Sequence, residues 1–166
     1  MAMRFDALDN LFDKCRAHLN EDGGKHWGTE IENYFVQLIL IRICAEYEVR
    51  LKELMERRLR SNDDPTLTIS RAMIRDKCKR FKITEISGIL GAFGDNFQLQ
   101  FSQKVSDEVA QIWDNINQGR QTVAHKTEAI NLTFKEVEDN YRESLKIWDE
   151  IINALGFKQK ELKGLR

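Results

Sequence analysis

The chain has 166 residues, of which 42 % are hydrophobic and 32 % charged, with one proline and nine glycines. That composition excludes collagen-like, proline-rich and low-complexity architectures and leans away from a turn-rich all-β sandwich. Lys and Arg number 26 against 27 Asp and Glu, for a net charge of −1, so nucleic-acid binding must come from a local basic patch rather than a global field.

The three cysteines, Cys15, Cys44 and Cys78, form no CxxC pair. An odd count without that spacing argues against a disulfide framework or a zinc site and fits the cytoplasm. The opening Met-Ala-Met-Arg-Phe-Asp lacks the apolar core of a signal peptide. The longest apolar stretch, Tyr34 to Ala45, is interrupted by Gln37 and Arg42 and is too short to span a bilayer, so no membrane partner is expected.

Phe5, Leu8, Leu11, Phe12, Cys15 and Leu19 recur at helical spacing and predict a first amphipathic helix over Phe5 to Leu19. Asn20 to Gly28, with Gly23 and Gly24, reads as a loop. Thr29, three residues before Glu32, has the form of a capping box and opens a long helix. From Tyr34 to Ala45 that helix is apolar almost all round, which predicts a central place in a bundle. Beyond Tyr47 the pattern narrows to Leu51, Leu54, Met55 and Leu59, and Asn62-Asp-Asp-Pro65 ends it.

Two shorter helices are expected over Leu67 to Lys79 and Ile83 to Phe93. Glycines 88, 91 and 94 do not make a phosphate loop, because no Gly-Lys-Ser/Thr and no preceding strand accompany them. The helical stripe resumes through Val109, Ile112, Trp113 and Ile116. Asn115, Asn117, Gln118 and Gly119 then predict a break or kink. Thr133 and Glu136 form a second capping box, and Phe134, Val137, Tyr141, Leu145, Trp148, Ile152 and Leu155 define a final amphipathic helix. The expected fold is an all-α, single-domain bundle of about five to six helices over residues 1–156, with a basic tail at 157–166.

Three histidines are available for acid–base chemistry near neutral pH. His18 follows Lys14 and Arg16 near a helix end, His26 sits in the glycine loop, and both read as surface residues. No pair has metal-ligand spacing, so no metal and no cofactor is expected. His125 differs in its setting, Gly119-Arg120-Gln121-Thr122-Val123-Ala124-His125. If a helix restarts after Gly119, Arg120 lies in its first turn, where a guanidinium and free backbone N–H groups would face a phosphate together. Gln121 and His125 share a helical face, whereas Arg120 and His125 are turned about 140° apart on an ideal helix. Either the arginine swings round or a second subunit completes the site.

The Arg-x4-His spacing after a long apolar helix, followed by a Thr-x-x-Glu box and a terminal amphipathic helix, resembles the HEPN superfamily. The likeness is above all to its stand-alone bacterial members in toxin–antitoxin and phage-defence systems. The resemblance spans most of the chain in helix order and rests at residue level on Arg120 and His125. It implies a HEPN-like bundle and a metal-independent endoribonuclease acting as a homodimer, with RNA as substrate and 2′,3′-cyclic phosphate and 5′-OH products. In many active members Asn, Asp or His follows the arginine; here Gln121 keeps a polar side chain in a supporting role. Family members often add an acidic residue from the long helix, for which Glu48 and Glu46 are the candidates. Arg42, four residues before Glu46, offers that glutamate a plain intrahelical pair instead. The family also implies a protein antitoxin, nucleotidyltransferase-like or other.

Arg71, Arg75, Lys77, Lys79, Arg80 and Lys82 lie within twelve residues, opposed only by Asp76. This run reads either as an RNA-tracking patch or as a solvated helix face. Two further readings of the whole chain stay open. One is a non-catalytic HEPN-like module binding nucleotide, RNA or protein; the other is an unrelated helical adaptor.

Overall fold

The computed structural model describes residues 5–60, 82–125, 130–158 and 162, with Arg60 and His125 described by their backbone alone. Six helices are present among the described residues and no strand. They are α1 (Asp6–Gly24), α2 (Glu30–Arg60), α3 (Ile83–Phe93), α4 (Asp95–Lys104), α5 (Asp107–His125) and α6 (Phe134–Ala154). The protein is all-α, a small helical bundle. The expected helix over Leu67 to Lys79 lies outside the described residues.

The 31-residue α2 is the spine, packed against α1, α5 and α6. Its buried side runs through Val36, Ile39, Leu40, Ile43, Cys44, Tyr47, Leu51, Leu54 and Met55. An aromatic cluster fills the centre. Tyr47 stacks on Trp113 (centroids 4.9 Å apart), and Trp148 meets Tyr47, Phe5 and Trp113 at 5.3, 5.5 and 5.8 Å. The hydroxyls of Tyr47 and Ser144 are hydrogen-bonded to each other at 2.6 Å, and Ser144 Oγ also lies 2.7 Å from the Tyr141 carbonyl oxygen. These buried hydroxyls are thus satisfied within the core, as a dense interior requires.

Helix starts are secured by carboxylates. Thr133 Oγ1 accepts from the Glu136 N–H at 3.2 Å while Glu136 accepts from the Thr133 N–H at 2.7 Å, completing the expected box at α6. These bonds, the backbone one first, hold the exposed Glu136 carboxyl below its ordinary range. At α2 the reciprocal bond is absent. Thr29 Oγ1 accepts from the Ile31 N–H, but the buried Glu32 takes the Gly28 N–H (2.6 Å) and reaches across to the Phe134 N–H (2.8 Å). Asp114 of α5 likewise accepts from the Ile83 N–H at the start of α3, at 3.1 Å. Each acceptor meets a donor left unpaired by the first turn of a helix, and so welds one helix to the start of another.

Three findings depart from the sequence reading. First, Asp95–Lys104, to which the sequence reading assigned no element, is helical; Phe101 is buried and Leu99 is exposed. Second, α2 is not surrounded: Tyr34, Leu38, Ile41 and Val49 remain exposed on the side away from the core. Third, α5 does not break at Gly119 but runs unbroken from Asp107 to His125. The glycine serves contact instead. A Cβ there would lie 3.1 Å from Leu40 Cδ1, so its absence lets α5 close on α2.

Gly119→Val is therefore expected to destabilise the fold by about 1–3 kcal/mol in urea unfolding, since its methyls enter a filled contact. Gly119→Ala should lie closer to wild type, because a gain in helix propensity of about 1 kcal/mol opposes the tighter contact. A Val variant as stable as wild type would contradict the close approach.

Candidate active site

The α2–α5 contact runs antiparallel. Leu40 lies against Gly119, the Cys44 thiol is 3.8 Å from the Ile116 carbonyl oxygen, and Tyr47 stacks on Trp113. Arg120 follows one turn after Ile116 and two after Trp113, so it continues the inward stripe of α5. Trp113 and Ile116 are buried, yet Arg120 is exposed. An arginine thus occupies a core-facing position just where the core ends. Among the described residues it has no hydrogen-bond or ion-pair partner.

Because α5 is continuous, Arg120 does not lie in the first turn of a restarted helix, and the expected donation of free N–H groups to a phosphate does not occur there. The backbone N–H groups around it lie inside the helix, where the i→i−4 ladder uses them. Phosphate binding would fall to the guanidinium, which can present two parallel donors to one anion. Gln121 is exposed on the next position, and His125 is the last residue of α5. On this unbroken helix Gln121 and His125 share a face and Arg120 is turned about 140° from His125.

Cys44 of α2 is buried where that helix meets α5. Burial pushes its thiol up to about 12, against a smaller opposite pull from the Arg120 guanidinium and a smaller push from Glu48. The thiol is protonated and inert at neutral pH. Arg120 and Glu48 thus act on this thiol with opposite sign.

Glu46 and Glu48 are two residues apart, about 200° round the helix, so they cannot both lie on the α5 side of α2. Glu46 is paired with Arg42 at 2.9 Å. Glu48 is paired with Lys52 at 2.5 Å, both side chains about one-quarter exposed. Glu48 follows Cys44, which meets α5 at Ile116, by one turn, so of the two candidates it is the nearer to the α5 side of α2.

Arg71, Arg75, Lys77, Lys79 and Arg80 lie outside the described residues. Lys82 is exposed at the start of α3, where its N–H donates to Glu85 at 3.2 Å. His18 lies on α1, edge-on to Phe35 of α2, and His26 follows that helix. Their rings stack at 5.4 Å, and His18 Nδ1 is 2.9 Å from Glu21 Oε2. Among the described residues no group of three or more His, Cys, Asp or Glu could hold a metal ion, and no helix is long and apolar enough to cross a membrane.

No family model, curated protein or solved structure matches the chain.

Two features escaped the sequence reading: the role of Gly119 in letting α5 approach α2, and Cys44 as the contact of Ile116. The second had a signal, a cysteine inside an apolar helix, but nothing in the sequence linked it to a residue so far along the chain.

Proposed function

We propose that the protein is a metal-independent endoribonuclease of HEPN type, a cytoplasmic toxin or phage-defence effector restrained by a protein antitoxin. The observation that carries this reading is Arg120: exposed, without an ion-pair partner among the described residues, on an inward-facing stripe, and on the helix that ends at His125. An arginine unpaired among the described residues at such a position is available to an anion.

In the proposed reaction a ribose 2′-oxygen attacks the adjacent phosphorus and the bond to the 5′-oxygen breaks. His125 serves one of the two proton transfers, taking the 2′-hydroxyl proton or delivering one to the departing oxygen, and solvent serves the other, so the proton count balances. Arg120 holds the phosphate and stabilises the charge that gathers on its oxygens. Gln121, on the His125 face, supplies a hydrogen bond to the phosphate or the ribose. The products are a 2′,3′-cyclic phosphate and a 5′-OH.

Expression in a bacterial host tests the reading. Wild-type protein should arrest growth and fragment cellular RNA, and the His125→Ala form should do neither. If both forms are equally harmless and the purified protein cleaves no cellular RNA, the enzyme reading fails and a non-catalytic binding module replaces it.

The basic run is assigned to the RNA backbone. Replacing Arg75, Lys79 and Arg80 together with Ala should weaken RNA binding across sequences. It should also flatten the slope of log affinity against log salt by about 2, at roughly 0.7 for each single-strand phosphate that is no longer neutralised. An unchanged slope returns the run to solvated surface.

A further inference from the structure

Of the three tyrosines, Tyr47 and Tyr141 are buried and hydrogen-bonded, whereas Tyr34 near the start of α2 is 63 % exposed. Among the described residues Tyr34 makes no hydrogen bond and no ring contact. Trp27, an aromatic that is also exposed, is engaged: its indole N–H donates to Asn20 at 3.0 Å and its ring meets Phe134 edge-on. Tyr34 is thus a flat, amphipathic surface held in water.

The α2–α5 contact fixes where this ring lies relative to Arg120. Leu40 is level with Gly119, and Cys44 meets Ile116. Arg120 is one residue beyond Gly119, and Tyr34 six residues before Leu40, which sets Tyr34 level with the end of α5 at His125. Along the pair, Tyr34 and Arg120 are about 7.5 Å apart. They also share a side. Going round α2 from Leu40 in the sense of the chain, Cys44 lies at about 40°, Gln37 at about 60° and Tyr34 at about 120°. On α5, in the sense of its own chain, Arg120 lies about 40° and Ala124 about 80° past Ile116. In an antiparallel pair of right-handed helices these two senses turn toward the same side of the plane through both axes. Arg120 and Tyr34 therefore border one face of the α2–α5 pair. Between their levels lie Gln37 and Ala124, and neither carries a charge that would repel a phosphate.

We infer that Tyr34 is a base-stacking residue of the proposed ribonuclease, taking an unpaired base of single-stranded RNA one or two nucleotides from the phosphate held by Arg120. This rests on the assignment of Arg120 to that phosphate. The span fits, because 7.5 Å is about two phosphate steps at roughly 3.4 Å each. An aromatic face accepts any base, since every base has a π-face, but it needs a base that is splayed out of a duplex. Tyr34 therefore selects single strands over duplex without selecting a sequence. The arginine by itself makes no such distinction, because both forms present phosphates.

The test is binding by fluorescence anisotropy in a His125→Ala background, with a short labelled single strand, the same strand in a duplex, and a base-free ribose-phosphate chain of equal length. Tyr34→Ala should weaken single-strand binding by about 5- to 150-fold, the contribution of one stacked base. It should leave the duplex and the base-free chain bound as before, and Tyr34→Phe, which keeps the ring, should bind like Tyr34. The slope of log affinity against log salt should not change in Tyr34→Ala, whereas Arg120→Ala should flatten it by about 0.7. Unchanged single-strand affinity in Tyr34→Ala, or an equal loss toward the base-free chain, overturns the inference. Cleavage by the wild-type protein is read separately. Cleavage without a Tyr34 effect on binding sinks the stacking alone, and a Tyr34 effect without cleavage keeps the stacking and removes the ribonuclease. A protein that binds no single strand overturns both.

Discussion

Arg120→Ala is expected to lower RNA cleavage by about 10²–10³-fold, the cost of removing one preorganised donor from a developing oxyanion. His125→Ala should cost about 10²–10⁴-fold through loss of proton transfer. The Arg120 effect should come without a change in folding. Its side chain is exposed and makes no hydrogen bond or ion pair with the described residues, so the stability in urea should stay within about 0.5 kcal/mol of wild type. Arg120→Lys separates charge from geometry. It keeps the cation but loses the two-pronged grip on phosphate, and should recover only part of the activity. Were Arg120→Ala to cleave normally, the exposed guanidinium would have no part in the chemistry.

The largest loss of stability should come from Trp148→Ala, at about 3–5 kcal/mol in urea unfolding. Trp148 is fully buried, and its ring meets those of Tyr47, Phe5 and Trp113. Removing it takes away the element through which α6 and α2 hold the start of the chain and α5 in one core. Tyr47→Phe is the milder control. It leaves the ring packing and removes one hydroxyl from the Tyr47–Ser144 pair, and since Ser144 Oγ still lies within reach of the Tyr141 carbonyl, the loss should be about 1 kcal/mol. A Trp148→Ala protein that unfolds at the wild-type urea concentration would mean that the cluster does not organise the bundle.

What could be read from the residues alone was whatever depends on near neighbours in the chain. The box at Thr133 and Glu136 formed as its spacing predicts, because both partners lie within one turn. Thr29 and Glu32 have the same spacing, but Glu32 had a competing donor, the Phe134 N–H, that only the tertiary fold supplies. α4 was not assigned: of its residues only Phe101 is buried, and Leu99 is left in water, so its buried face gives little periodic signal.

Gly119 shows the same limit. A missing Cβ suits a helix break and a close contact equally, and Leu40, on another helix, decides for contact. At the site, Arg120 and His125 stood out through their setting, after a long apolar helix and before the Thr133 box, rather than through spacing alone. The choice between Glu46 and Glu48 needed the contact of Cys44 with Ile116, which shows the side of α2 that meets α5. The exposed stripe of α2 was visible as an excess of apolar residues over Tyr34 to Ala45, but which of them face outward required the packing of α1, α5 and α6.

The most direct test is the chemistry of the ends left on RNA. Purified wild-type protein, incubated with single-stranded RNA in excess EDTA, should produce fragments carrying 2′,3′-cyclic phosphate and 5′-OH ends, with none from His125→Ala protein prepared in parallel. Fragments with 5′-phosphate ends, cleavage abolished by EDTA, or equal cleavage by both proteins would contradict it.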